Sequence, residues 1–229
     1  MKNLWSYNEA SKFKDDLALR VYTSRLLGRD STLVLHGGGN TSVKISETNI
    51  VGNLEEILYV KGSGWDLEFI EIAGFSPVRM KHMLSLSKLD SLSDPQMVNE
   101  LKTQLTNALS PTPSVETILH AILPFKYVDH THADAVVTIT NTSEGEDRIK
   151  EIYGDRVVII PYVMPGFDLA KDVARIFSEQ STDKTEGMIL MNHGIFSFGD
   201  SAKVSYDRMI SLVNEAENYL ISKNAWDIE

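Results

Sequence analysis

Two histidines one residue apart, His130 and His132, close the run Tyr127-Val-Asp-His-Thr-His132. Side chains alternate along a strand, so both imidazoles face the same way, with Cα atoms roughly 6.5–7 Å apart. Rings at that spacing can converge on one metal ion, although a lone pair of this kind also describes two ordinary polar strand residues. His193 follows an apolar run in Met191-Asn-His-Gly194, where it is either a turn residue or a third ligand. Glu116 stands at the start of the apolar segment 115–123, a place that favours a carboxylate in any case. Three imidazoles and one carboxylate make a donor set for a catalytic divalent cation with a displaceable position. With no cysteine in the chain, nitrogen and oxygen ligands put zinc first, with manganese, iron, cobalt and nickel also open. The other histidines read differently: His36 as structural, His120 as a second partner or a core residue, and His82 as solvent-facing.

Small-residue loops supply the second constellation. Gly37-Gly-Gly-Asn-Thr-Ser42 and Lys61-Gly-Ser-Gly64 both follow β-rich runs, and Ser114 precedes the helical segment. Glycine lets backbone N–H groups approach an anion, while Ser, Thr, Asn and Lys add donors, so three such loops suggest a phosphate or a polyhydroxylated anion. Neither glycine loop fits the Walker or dinucleotide pattern, and no Gly-x-Ser-x-Gly elbow occurs.

Positioning these groups requires a mixed sheet. Residues 32–36, 41–45, 57–61, 127–132, 156–160, 187–192 and 195–198 read as strands. The last two form a hairpin turning at His193-Gly194. Helices are predicted over 8–28, 95–109, 115–123, 168–179 with an Asp168 cap, and 200–223 capped by Asp200 or Ser201. Residues 133–141 fit helix or strand. Hairpin-length connections imply a largely antiparallel sheet, with helices on both faces.

The whole has 229 residues, ordinary apolar and charged fractions (42% and 24%) and a formal charge of −10. That balance excludes a basic footprint for nucleic acid and disfavours anionic membranes. The absence of cysteine, of a long apolar run and of a signal-like start leads to the expectation of one domain, residues 1–229, in the cytoplasm.

Taken in order, Gly39-Asn-Thr-Ser42, Gly62-Ser-Gly64, Pro113-Ser-Val-Glu116, His130-Thr-His132 and Asn192-His-Gly194 resemble the class II aldolase/adducin family over about residues 35–200. The likeness is strongest to the N-terminal aldolase part of bifunctional rhamnulose-1-phosphate aldolase/short-chain dehydrogenase proteins. It rests there on residues 33–42, 59–66 and 120–134. The resemblance implies a three-layer α/β/α sandwich with a mixed, mainly antiparallel central sheet. It also implies a metal-dependent aldehyde-lyase that cleaves or forms a ketose 1-phosphate through an enediolate of dihydroxyacetone phosphate. By resemblance, His130, His132, His193 and Glu116 ligate the metal, foremost Zn2+, and Glu116 also shuttles the proton. Asn40, Ser63, Gly64 and Ser114 bind phosphate, and Tyr162 is the candidate proton donor. Val115 replaces a serine common in the family and removes one hydroxyl donor. Implied partners are a sugar phosphate, further copies of the chain in a homotetramer, and a fused dehydrogenase domain outside this chain. Alternatives on the same site are an epimerase, a dehydratase or a metal-dependent hydrolase. A non-catalytic adducin-like interaction domain is the reading from another class, and it expects lost ligands.

Overall fold

A computed structural model describes residues 1–226. In chain order the elements are α1 (Tyr7–Ala10), α2 (Asp16–Gly28), β1 (Asn40–Thr48), β2 (Leu54–Lys61), β3 (Phe75–Arg79), α3 (Met80–Leu86), α4 (Asp94–Thr103), α5 (Thr117–Ile122), β4 (Tyr127–Thr131), α6 (Asp134–Thr140), α7 (Gly145–Tyr153), β5 (Val157–Ile160), α8 (Phe167–Gln180), β6 (Gly187–Leu190), β7 (Gly194–Gly199) and α9 (Ala202–Ser222). The strands form one sheet in the order β3-β2-β1-β4-β7-β6-β5. Every neighbouring pair is antiparallel except β5 and β6. Helices α2, α6, α7 and α9 pack a core on one face, and α3, α4, α5 and α8 pack a second core on the other. This is the expected α/β sandwich. Among the described residues no helix is long and apolar enough to cross a membrane.

Several local expectations need correction. Residues 8–28 form two helices, because Ser6 and Asp15 each cap a new start; the Asp15 carboxylate accepts from Ala18 N at 2.7 Å. Residues 32–36 are not a strand. Their backbone closes on itself through Leu33 N to Asp30 O and Gly38 N to Leu35 O, and His36 has φ +51°, while Leu33 and Val34 still bury their side chains. Residues 133–141 resolve as α6, and the helix expected over 95–109 ends at Thr103. Gly166, not Asp168, precedes α8, and Ser201 caps α9 by accepting from Val204 N. Strand β3 and helices α3 and α7 are additional to the expected elements, although α3 buries Met80, Met83 and Leu86 and α7 buries Ile149 and Tyr153 at helical spacing. Pro77 sits within β3, a position that Pro tolerates at a sheet edge.

Candidate active site

Strand β4 lies in the middle of the sheet with all five residues buried. Val128 and His130 face the α5/α8 core, where the His130 ring stacks on Phe196 at 4.1 Å. The β6–β7 connection brings His193 beside it. Asn192 adopts φ +59°, a conformation that Asn tolerates, and its side-chain amide donates to Thr140 O at 3.1 Å and Asn141 Oδ1 at 2.7 Å. These bonds tie the turn to the end of α6 and aim His193 at the site. Gly194 must lack a side chain, since a Cβ there would collide with Thr131 O and lie 3.1 Å from His130 Cε1.

His130, His132 and His193 each offer a ring nitrogen, and these atoms lie within 4.8 Å of one another. The burial is graded: His130 is fully enclosed, His193 half-buried and His132 exposed. His130 Nδ1 lies 3.0 Å from Ile195 O. A carbonyl can only accept, so Nδ1 carries the proton and Nε2 keeps its lone pair, the arrangement in which an imidazole serves as a ligand. Nε2 is buried and without a hydrogen-bond partner, as are His193 Nδ1 and Glu116 Oε1.

Glu116 directly precedes α5. Its Oε1 lies 3.5 Å from His130 Nε2 and 3.7 Å from His193 Nε2. Ligand atoms held about 2.1 Å from one tetrahedral centre are about 3.4 Å apart, so the carboxylate stands where a shared cation would be met. Asn40 opens β1 opposite His130 in register, and its Nδ2 makes a long 3.5 Å contact to Glu116 Oε2. The three convergent imidazoles fit a divalent cation, with the buried Glu116 carboxylate beside two of them.

The electrostatics agree. Burial, then the neighbouring His193 and His132, hold His130 well below its usual pKa of 6.5. His132 is lowered by burial and then by Lys61, and burial and His132 bring His193 down to about 4. At neutral pH all three rings are therefore uncharged and keep lone pairs, as metal binding requires. Burial pushes Glu116 up to about 7, against the opposing pulls of Asn40 and Lys61. The ordering of these groups sets an acid near neutrality beside three bases that do not compete for its proton.

The three small-residue loops meet at the same place. Lys61 ends β2 almost fully buried and donates to Gly37 O at 2.8 Å, and burial lowers its ammonium to about 8. The Gly37 turn passes so near the second loop that a Cβ at Gly37 would lie 3.5 Å from Gly64 Cα. Gly62 bridges Pro113, and Ser63 N donates to Thr112 O at 2.8 Å, which leaves the Ser63 side chain exposed. Ser114 Oγ accepts from Glu116 N at 3.2 Å, so its hydroxyl proton remains available outward. Asn40, Ser63, Gly64 and Ser114 thus gather with Glu116 and the histidines.

Tyr162 does not join them. It is 54% exposed, and its hydroxyl meets Met164 Sδ at 3.9 Å. Among the other histidines, His120 is a buried residue bonded to Ser42 Oγ at 2.8 Å, and burial lowers it to about 3. His36 is exposed. His82, read as solvent-facing, is half-exposed and pairs with Glu100 at 2.7 Å. Lys61 and Asn192 are contributors that sequence reasoning underused. Each sits beside a residue already singled out, and only the fold shows that one is buried and the other pins a turn.

Comparison with known proteins agrees with this architecture. The family model for the Class II Aldolase and Adducin N-terminal domain matches residues 18–220. The N-terminal class II aldolase domain of a conserved protein from Thermoplasma acidophilum superposes with a TM-score of 0.88 at 45% identity, covering 96% of this chain and 99% of that one. The uncharacterized oxidoreductase YuxG of Bacillus subtilis (strain 168) is 37% identical over 220 residues, which is 96% of this chain. The chain spans about a third of that relative's length, 32%. An L-fuculose-1-phosphate aldolase from Thermus thermophilus shares the fold alone, with a TM-score of 0.55 at 17% identity over 90% of this chain and 96% of that one.

Proposed function

The chain belongs to the Class II Aldolase and Adducin N-terminal domain family, and from that premise we propose that it is a metal-dependent aldehyde-lyase cleaving or forming a ketose 1-phosphate. The observation that carries the proposal is the buried Glu116 carboxylate 3.5 Å and 3.7 Å from two of three convergent, neutral imidazoles. An adducin-like module with no chemistry gives no reason to keep that set filled.

His130, His132, His193 and, at rest, Glu116 would hold the cation, with zinc the first candidate. A bound divalent cation supplies a Lewis acid that polarises a substrate carbonyl. The remaining work falls to the chain. Glu116 is the proposed group that holds or releases one proton at Oε1, the general acid–base role. Asn40, proposed as a phosphate ligand with Ser63, Gly64 and Ser114, also makes a long 3.5 Å contact to the second oxygen of that carboxylate. Ser63, Gly64 and Ser114, with the Lys61 charge behind them, take the anionic end of the substrate and hold its reacting carbons beside Glu116. Such orientation lowers the entropic barrier. Tyr162, exposed in its own chain, is the proposed donor of a proton to the aldehyde oxygen as it becomes a hydroxyl on condensation, and the acceptor of that proton on cleavage. The assembly proposed is a homotetramer, in the cytoplasm, with a dehydrogenase domain fused in longer versions of the protein. Of the apolar residues of α9, Met209, Leu212, Val213, Ala216 and Leu220 are buried in the chain's own core, as are Phe75 and Met80, whereas Val204 and Phe69 are exposed and open to a neighbouring subunit.

Elemental analysis together with a screen of ketose 1-phosphates for release of dihydroxyacetone phosphate tests the proposal. Glu116→Gln should retain metal and lose about 10²–10⁴-fold in turnover. A protein without bound metal, or a Gln variant with wild-type kcat, removes it. Epimerisation or dehydration would appear in the same screen as a changed sugar phosphate without free aldehyde.

A further inference from the structure

Strand β4 carries His130 on one face and a fully buried ion pair on the other. Asp129 points between α2 and α9, where Arg20 Nη2 lies 2.5 Å from its Oδ1, and both side chains have 0% exposure. Ser205 of α9 donates to Asp129 Oδ2 at 2.5 Å. The same guanidinium donates from Nη2 to Thr23 Oγ1 at 2.6 Å and from Nε to Ser24 Oγ at 3.2 Å. Ser24 Oγ in turn meets Thr41 Oγ1 at 2.8 Å. Thr41 and Asp129 are register partners across β1 and β4, and the next partners along are Asn40 and His130. One side chain of α2 is therefore tied to both strands, one residue from a site residue in each, on the sheet face away from the site.

Stability alone does not account for this arrangement. Burying two charges carries a large desolvation penalty, and apolar replacement of such pairs is often neutral or stabilising. Here Arg20 Nη1 and Asp129 Oδ1 are also buried without a hydrogen-bond partner. What the network does supply is fixed direction and distance between α2, β1, β4 and α9.

We propose that Arg20 and Asp129 are positioning residues: their ion pair, with Ser24, Thr41 and Ser205, sets the register and separation of β1 and β4 that place Asn40 against Glu116 and His130 against the other two histidines. The role of the pair rests on the metal-site reading above. Partners outside the ligand set that orient ligands typically contribute 10–100-fold to metal affinity.

The decisive variant is Arg20→Met/Asp129→Leu, which exchanges the pair for apolar side chains. Thr41→Val and Ser205→Ala each cut a single tether. Wild type and variants, stripped with chelator, are compared by thermal unfolding, by Co2+ titration followed in the visible spectrum, and by the side-chain 15N signals of His130 without metal. The double variant should unfold at or above the wild-type temperature, bind Co2+ 10–100-fold more weakly with a changed spectrum, and lose the single Nδ1–H tautomer of His130. The single-tether variants should move the same way by a smaller factor. A folded double variant with wild-type affinity, spectrum and His130 signal overturns the proposal. If that variant does not fold, the same three readouts on Thr41→Val and Ser205→Ala decide, and unchanged values there overturn it. A wild type that binds no Co2+ sinks the metal reading alone, because the His130 signal is read without metal and still decides the positioning role.

Discussion

Replacing Glu116 by Gln should make the metal-free protein more stable at pH 8 and leave it unchanged at pH 4. Glu116 is buried, at 9% exposure, and burial moves its carboxyl from 4.5 up to about 7, although Asn40 and Lys61 pull the other way. The folded value lies above the unfolded one, so the folded state holds this proton more tightly. Its contribution to stability is complete below pH 4.5 and is lost as pH rises through about 7. A move of that size corresponds to about 3 kcal/mol, at ~1.4 kcal/mol per pH unit. Gln forgoes the charge and should therefore stay level over the same interval. For a chain of this length each kcal/mol moves Tm by about 2–4 °C, so the two proteins should separate by roughly 6–12 °C at pH 8. The assay is thermal unfolding in chelator between pH 4 and 8, repeated with added Zn2+. The cation should reverse the order, because it stabilises the carboxylate that burial penalises. Parallel curves for the two proteins in chelator would refute the reasoning, since they would mean that Glu116 ionises in the fold without penalty.

Gly194→Ala should lower Tm and weaken metal binding more than tenfold together, because the new Cβ would collide with Thr131 O and crowd His130 and His132; overpacking of this kind costs about 1–3 kcal/mol. Wild-type unfolding and Co2+ affinity in that variant would show that the strands can part there without harm. Tyr162→Phe should leave Tm unchanged, as its hydroxyl meets only Met164 Sδ, and should reduce turnover about 10²-fold if it donates the proton; unchanged turnover removes it from the mechanism. Light scattering during gel filtration, paired with activity along a dilution series, should show a tetramer whose dissociation lowers activity. A fully active monomer contradicts a shared site without touching the roles of the histidines or Glu116.

The amino-acid sequence by itself determined the parts whose logic is local. Alternation along a strand put His130 on one face of β4, the turn at Asn192-His193-Gly194 had its own glycine and asparagine, and β1 and β2 followed the β-rich runs 41–45 and 57–61. Where the local pattern was ambiguous, long-range packing decided. Leu33 and Val34 look like strand residues because they are apolar, yet they bury their side chains from a looped backbone whose hydrogen bonds close within it. The helix expected over 200–223 left open what its apolar residues meet, and most of them pack into the chain's own core. Only the tertiary structure decided that Glu116, His130 and His193, up to 77 residues apart, share a few ångströms, and that Lys61 is withdrawn from water between the loops. The charge states follow from that placement, because desolvation is a property of the surroundings and not of the residue. The tie from Arg20 through Asp129 and Thr41 was equally silent in the sequence, since no spacing along the chain marks the point where a helix and two strands bury one guanidinium between them.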